Sequence, residues 1–212
     1  MDLDPAATAG LVTREVRSGA RDGEPTRVVV ARRTFDAERS EVWDAVTNPE
    51  RIPRWFLPIS GDLRPGGHYQ LEGNAGGTVE QCDPPASFSV TWEFAGQVSW
   101  VEVTLSPAAE GTVVEVAHEA PLDPDFWAQY GPGATGVGWD LGLLGLGLHL
   151  ETRAPLDPAQ AAAWPLTASG SAFVRHAASG WAAGAIGDGD DPDAAHEAAE
   201  RTIAFYTEPP PA

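Results

Sequence analysis

The sequence predicts an α+β fold in which an antiparallel β-meander is followed by one long apolar helix. Three observations carry that prediction. Short runs between Ile59 and Glu119 alternate apolar and polar side chains, the signature of strands with one buried face. The turn clusters LRPGGH, EGNAGG, DPPAS, FAGQ and SPAAEG punctuate those runs, leaving room only for tight antiparallel connections. After Pro121 the alternation stops, and VGWDLGLLGLGLHLE reads as a helix.

Each element follows in order. Up to about Thr8 the chain reads as a loose tail. Leu11 to Phe35 contains two β-rich runs around a Gly/Asp/Pro turn, a hairpin. Val42, Trp43 and Val46 then share one side of a short helix that Asn48-Pro49 ends, and a second short helix carries Ile52, Trp55 and Phe56. In the meander, Phe88, Val90, Trp92 and Phe94 point one way and Ser89, Thr91 and Glu93 the other. Val101, Val103 and Leu105 oppose Glu102 and Thr104; Val114, Val116 and His118 oppose Val113, Glu115 and Glu119. An aromatic loop, LDPDFWAQYGPGATG, leads into the long helix. Beyond Arg153 the chain is Ala-rich and helical. One segment lies near Thr167 to Ala185 with Phe173, Trp181 and Ile186 apolar. Another opens at Asp191-Pro192, an N-cap followed by Pro at the first helical position, and carries Ile203, Phe205 and Tyr206. This tail holds too few large apolar residues for a core of its own. The expected organisation is a flexible tail at 1–10, a domain at 11–151, an appended helical segment at 152–207 packing on that domain, and a Pro-rich tail at 208–212.

Composition excludes several functions. With 31 acids against 13 bases the chain carries a formal charge of −18, which opposes binding to nucleic acid or docking on an anionic membrane. All 13 bases are Arg, so Schiff-base chemistry and a phosphate-loop Lys are absent. The single Cys82 forms no internal disulfide, and no Cys/His zinc spacing or HExxH pattern occurs, so no metal and no cofactor are expected. MDLDPAATAG lacks the charged and apolar regions of a secretory signal, and the apolar run Leu141 to Leu150 is too short to cross a bilayer. A cytoplasmic protein without membrane insertion is the expectation.

The long helix is unusual in its inner face. At 100° per residue, Gly138, Gly142, Gly145 and His149 share one stripe, flanked by Trp139, Leu143, Leu146 and Leu150 on one side and Leu141, Leu144 and Leu148 on the other. Asp140, Gly147 and Glu151 are left as the solvent face. Helical glycine costs about 1 kcal/mol against Ala, so the stripe needs a compensating reason. Close packing of backbone on backbone is one; a ligand cavity, with His149 at its end, is the other.

The hairpin, short helices, meander and long helix together resemble the START-like helix-grip (START/Bet v-like) fold. The segments EVWDAVTNPERIPRWF, DLRPGGHYQL, GGTVEQCDPPASFSVTWEF, VEVTLSPAAEGTVVEVAHE and GVGWDLGLLGL are similar to one branch of it, that of activator of heat-shock-protein-90 ATPase homologue-like proteins. The resemblance spans about Leu11 to Glu151. It implies a curved sheet gripping the long helix around an apolar cavity. It also implies a ligand drawn from the lipid, sterol or polyketide-like classes of the wider superfamily. Residues 153–212 have no counterpart in the shortest members, where a lid or a homodimer contact are the roles to test.

Candidate site residues follow. Tyr69, Trp92, His118, Trp139, Gly142, Gly145 and His149 are expected to line the cavity, with Phe126, Trp127 and Tyr130 on an entrance loop. GPGATG formally matches G-x-G-x-x-G, yet no strand precedes it and Pro132 holds its second position, so a mobile entrance loop replaces the dinucleotide reading. His118 and His149 would orient a polar ligand group or act as general base; the bland alternative is a hydrogen-bonded core histidine. Cys82 reads as an inert thiol, and no nucleophile elbow surrounds any Ser. The leading expectation is a protein binding a hydrophobic or aromatic small molecule rather than an enzyme. A cyclase or dehydratase using His118, His149 or Tyr69, and a co-chaperone-type adaptor, are the alternatives.

Overall fold

Alternation in the meander resolves into pairing. The computed structural model describes residues 4–208. Its strands are β1 (Thr13–Arg21), β2 (Glu24–Phe35), β3 (Ile59–Gly61), β4 (His68–Leu71), β5 (Gly76–Asp83), β6 (Ser87–Phe94), β7 (Gln97–Pro107) and β8 (Thr112–Pro121). Its helices are α1 (Pro5–Gly10), α2 (Arg39–Thr47), α3 (Pro124–Tyr130), α4 (Gly133–Thr152), α5 (Pro158–Ala163), α6 (Ala168–Gly187) and α7 (Pro192–Thr207). The strands form one open antiparallel sheet in the order β1-β2-β8-β7-β6-β5-β4-β3. Contacts divide the chain into two compact units. One takes the chain up to Ala31, Leu122–Leu141 and the residues from Asp157 onward; the other takes Arg32–Pro121 and Gly142–Leu156.

In the second unit, register places Val90 opposite Val101, Phe88 opposite Val103, and Leu105 opposite Val114. Val101, Val103, Leu105, Val114 and Val116 are all buried, so the predicted inward face is real over these strands. Phe94 departs from it: at the β6–β7 turn, opposite Gln97, it is 54% exposed. Helix α2 buries Val42, Ala45 and Val46, and the second short helix proves to be a single 3-10 turn at Ile52–Arg54.

The first unit corrects several sequence expectations. The N-terminal stretch is no loose tail from Pro5 on: Asp4 caps α1 by accepting from Ala6 and Ala7, and Ala9 is fully buried. The aromatic loop is in large part helix α3, capped by Asp123. GPGATG is not a mobile loop either, since Gly131 and Pro132 are buried and α4 begins at Gly133. Most of the expected 152–207 segment, from Asp157 on, falls in one unit with α1 and β1, a division other than the expected one. Phe173, Val174, Trp181 and Ile203 are buried within a unit that also contains α1 and β1. Asp191 does cap α7, with Pro192 opening it. Residues 1–3 and 209–212 of the expected terminal tails lie outside the described residues.

The expected solvent face of α4 is also overturned at two of its three positions. Glu151 is exposed, but Asp140 is 0% exposed and Gly147 is buried. Each meets an arginine. Asp140 accepts from Arg14 Nε and Nη2 at 3.1 and 2.7 Å, and from Trp181 Nε1 at 2.6 Å. At Gly147 an added Cβ would lie 2.6 Å from Arg33 Nη2.

Candidate functional site

Three predicted cavity residues share one face of the sheet in the second unit. Tyr69 pairs with Gly77, and the β5–β6 and β6–β7 registers carry that row on to Trp92 and its partner Ser99. His118 stands opposite Val101 on the same face. Gly77 lets the tyrosine cross β5: an added Cβ would lie 2.0 Å from the Thr91 carbonyl oxygen, and to that oxygen the Tyr69 hydroxyl donates at 2.8 Å. Ser99 Oγ donates to the Trp92 carbonyl at 3.1 Å and lies 2.8 Å from His118 Nε2. With the serine proton committed to the carbonyl, Nε2 is the donor of the pair. Trp92 and His118 stack in a tilted pair with centroids 5.8 Å apart.

Burial sets the protonation of these groups. It pushes the His118 pKa down to about 4, so the imidazole is neutral at neutral pH. The Tyr69 phenol is held protonated, first by burial and then by the charge of Glu93. Burial and the adjacent Asp83 raise the Cys82 thiol above its ordinary value, the opposite of what an activated nucleophile needs. Tyr69 also lines an open cleft of about 420 Å³ at the β3–β4–β5 end of the sheet, with Gly61, His68, Gly76, Gly77 and Glu93. That volume falls in the ordinary range for small-molecule sites.

The helix residues occupy a different setting within the same unit. His149 is 1% exposed and its Nε2 faces Arg51 Nε and Nη2 at 3.3 and 3.2 Å. An imidazole nitrogen between two guanidinium donors must be the acceptor, and burial, reinforced by the charges of Arg51, Arg54 and Arg153, depresses the His149 pKa. Arg51 is itself held by Glu41 at 2.7 Å and Asp44 at 2.8 Å, and Glu41 also pairs with Arg153. Of the two explanations for the glycine stripe, close approach accounts for Gly145: an added Cβ would lie 2.5 Å from the Trp55 carbonyl oxygen. Gly142 is looser, with Phe56 ring atoms at 3.5 and 3.8 Å from the same added atom.

The remaining predicted residues belong to the first unit. Trp139 is half-buried on α4. Trp127 is pinned on α3, donating to Asp190 Oδ2 at 2.7 Å beneath the Arg27 guanidinium, 4.7 Å from the ring centroid. Phe126 is 45% exposed and stacks on Tyr130, which in turn stacks on Phe205 of α7.

Sequence reasoning missed the buried ions. The signal for Asp140 was present, an acid set inside the apolar run of the helix rather than at its end like Glu151, and one turn after Gly136, where an added Cβ would enter the Trp181 ring. Arg14 lies 126 residues away, so no local pattern names it as the partner. Arg33 hid as one of two adjacent arginines on β2. Among the described residues no cluster of His, Cys, Asp and Glu is placed to hold a metal ion, and no helix is long and apolar enough to cross a membrane.

An open antiparallel sheet preceded by a hairpin and short helices, and followed by one long helix, defines the helix-grip class of START-like proteins. Within it, the model of the family described as activator of Hsp90 ATPase homolog 1-like protein matches residues 36–142, half of the chain, and the chain belongs to that family. Two structures of CalU16 from Micromonospora echinospora are similar over 84% of this chain. The solution structure has 31% identity, a TM-score of 0.70 and 96% of its chain covered; the crystal structure has 29%, 0.64 and 99%. DynU16, a protein of the dynemicin biosynthetic locus, matches at 26% identity and a TM-score of 0.56 over 60% of this chain and 48% of its own. No curated protein matches the sequence.

Proposed function

We propose that this chain is a binding protein for a hydrophobic or aromatic small molecule of the lipid or polyketide-like kind. The ligand would lie on the sheet face of Tyr69, Trp92 and His118 and be entered from the cleft that Tyr69 lines. The observation that carries the reading is that shared face, where two aromatic rings and a neutral imidazole stand among buried valines. Such a surface attracts an apolar body and offers few polar contacts to orient it. The occurrence of DynU16 in a biosynthetic locus lends support, because it places a structural relative beside small-molecule synthesis.

Binding is favoured over catalysis by the state of the acid–base candidates. The Tyr69 proton is donated to Thr91, the His118 Nε2 proton to Ser99, and the His149 Nε2 lone pair is taken by Arg51. A general base works best with a pKa near the working pH, and burial holds the His118 imidazole far below it, at about 4. Native mass spectrometry of gently purified protein is expected to show a co-purifying apolar molecule, or the protein is expected to bind Nile red with saturable fluorescence. Trp92→Ala is expected to weaken that binding at least tenfold. Absence of both a bound molecule and saturable dye binding would sink the reading.

A further inference from the structure

Arg33 is a buried cation that forms no ion pair among the described residues. On β2, Ala31, Arg33 and Phe35 turn to the buried side while Arg32 is half-buried and Thr34 exposed. Arg33 is 8% exposed; its Nη1 donates to the Leu143 carbonyl at 3.0 Å, and its guanidinium carbon stands 4.8 Å from the Phe35 ring centroid. Its Nε is buried with no hydrogen-bond partner, and among the described residues it has no ion-pair partner. Glu151 is exposed and acts on it only at a distance. The helix packs closely on the group: an added Cβ at Gly147 would lie 2.6 Å from Nη2, so a side chain there requires the guanidinium to shift.

A guanidinium cannot escape burial by losing its proton, so an unmatched one stays costly until an acceptor arrives. A chain with 31 acids has no shortage of carboxylates to supply one. Where this chain buries an ion for structure, it matches it fully: Arg14 grips Asp140 through its Nε and Nη2 edge. The Nε of Arg33, one of the two donors that grip a carboxylate in such a pair, has no hydrogen-bond partner among the described residues. We infer that Arg33 anchors a carboxylate carried by the apolar ligand, so that the ligand class is an apolar or aromatic carboxylic acid. This rests on the binding reading above.

Matched probes separate the two ideas. 1-Pyrenebutyrate and its methyl ester share one apolar body and differ in the charge, and each is titrated by fluorescence into the whole chain and into Arg33→Met. The wild type is expected to bind the acid at least tenfold more tightly than the ester. Arg33→Met is expected to bind both forms at the wild-type ester's affinity while melting at the same temperature or higher, as replacing an uncompensated buried charge by an apolar residue allows. Equal binding of acid and ester by the wild type, or an acid preference that survives in Arg33→Met, overturns the anchor and leaves the binding reading standing. A lower melting temperature with the acid preference intact makes Arg33 a structural strut and also overturns it. Binding of neither form overturns the binding reading and the anchor together. If Arg33→Met does not fold, Arg33→Lys keeps a cation without the fork and is expected to cut the acid-to-ester ratio; an unchanged ratio there overturns the anchor.

Discussion

Single residues decide how the buried polar groups of the second unit respond to pH and to volume. His118 is neutral in the fold, with its pKa near 4 against an ordinary 6.5. Above pH 6.5 both folded and unfolded chains leave it neutral, so it contributes nothing there. As pH falls from 6.5 toward 4, the unfolded chain takes up a proton that the folded chain refuses, and stability drops by roughly 3 kcal/mol. His149 titrates with the same sign, since its pKa is also depressed. Urea midpoints measured between pH 7 and 4 are expected to fall for the wild type and less steeply for His118→Gln; parallel curves would contradict the assignment. The glycines divide just as sharply. Gly145→Ala drives a Cβ to 2.5 Å from a backbone oxygen and is expected to lower the melting temperature. Gly142→Ala makes an ordinary 3.5 Å contact and gains up to about 1 kcal/mol of helix propensity, so it is expected to raise it. The stripe itself was legible in the sequence. Which of its members touches backbone was not, because the Trp55 carbonyl reaches Gly145 only through the fold.

At the scale of elements, the first unit is tied by a buried ion. Asp140 on α4 holds Arg14 of β1 and Trp181 of α6, and Arg14 also donates to the carbonyls of Ala9 and Val12. Asp140 is fully buried and the Arg14 side chain 6% exposed, so removing one charge strands the other. Asp140→Asn is expected to destabilise the chain by about 3–5 kcal/mol, whereas Arg14→Met with Asp140→Leu is expected to recover most of that loss. Chemical denaturation of the three variants checks both, and a double variant no better than Asp140→Asn would show that the pair is not acting as an ion pair. Secondary structure was legible where a residue's role is local. The alternation through Val101, Val103 and Leu105 and the Asp191-Pro192 cap needed nothing beyond their neighbours. Helix α3 was misread as loop because Asp123 and Pro124 open a helix too short for a periodic apolar stripe.

For the molecule as a whole, the C-terminal residues are structural. Phe173, Val174, Trp181 and Ile203 are each at most 4% exposed, and they supply the largest side chains of the first unit's core. A chain ending at Glu151 is expected to lose cooperative thermal unfolding, since α1, β1 and the start of α4 would keep their apolar faces without that core. A sharp two-state transition in the shortened chain, followed by circular dichroism, would restore the idea of a self-sufficient domain with an addition. The chain's formal charge is −18. Not all of the charge lies on the surface: the side chains of Arg14, Arg33 and Asp140 are buried.

The sequence by itself determined the family, the strand order of the meander and the inward face of its strands, because alternation, turn chemistry and caps act between residues close in the chain. It also put Tyr69, Trp92 and His118 on its list of cavity residues, each from an inward-facing position or an aromatic inventory. Only the tertiary structure decided that these three share a sheet face, that His149 is engaged by Arg51, and that Asp140 is latched while Arg33 pairs with no carboxylate among the described residues. The physical reason is distance along the chain. An ion pair or a close glycine contact depends on groups that folding brings together, and periodicity reports only which way a side chain turns.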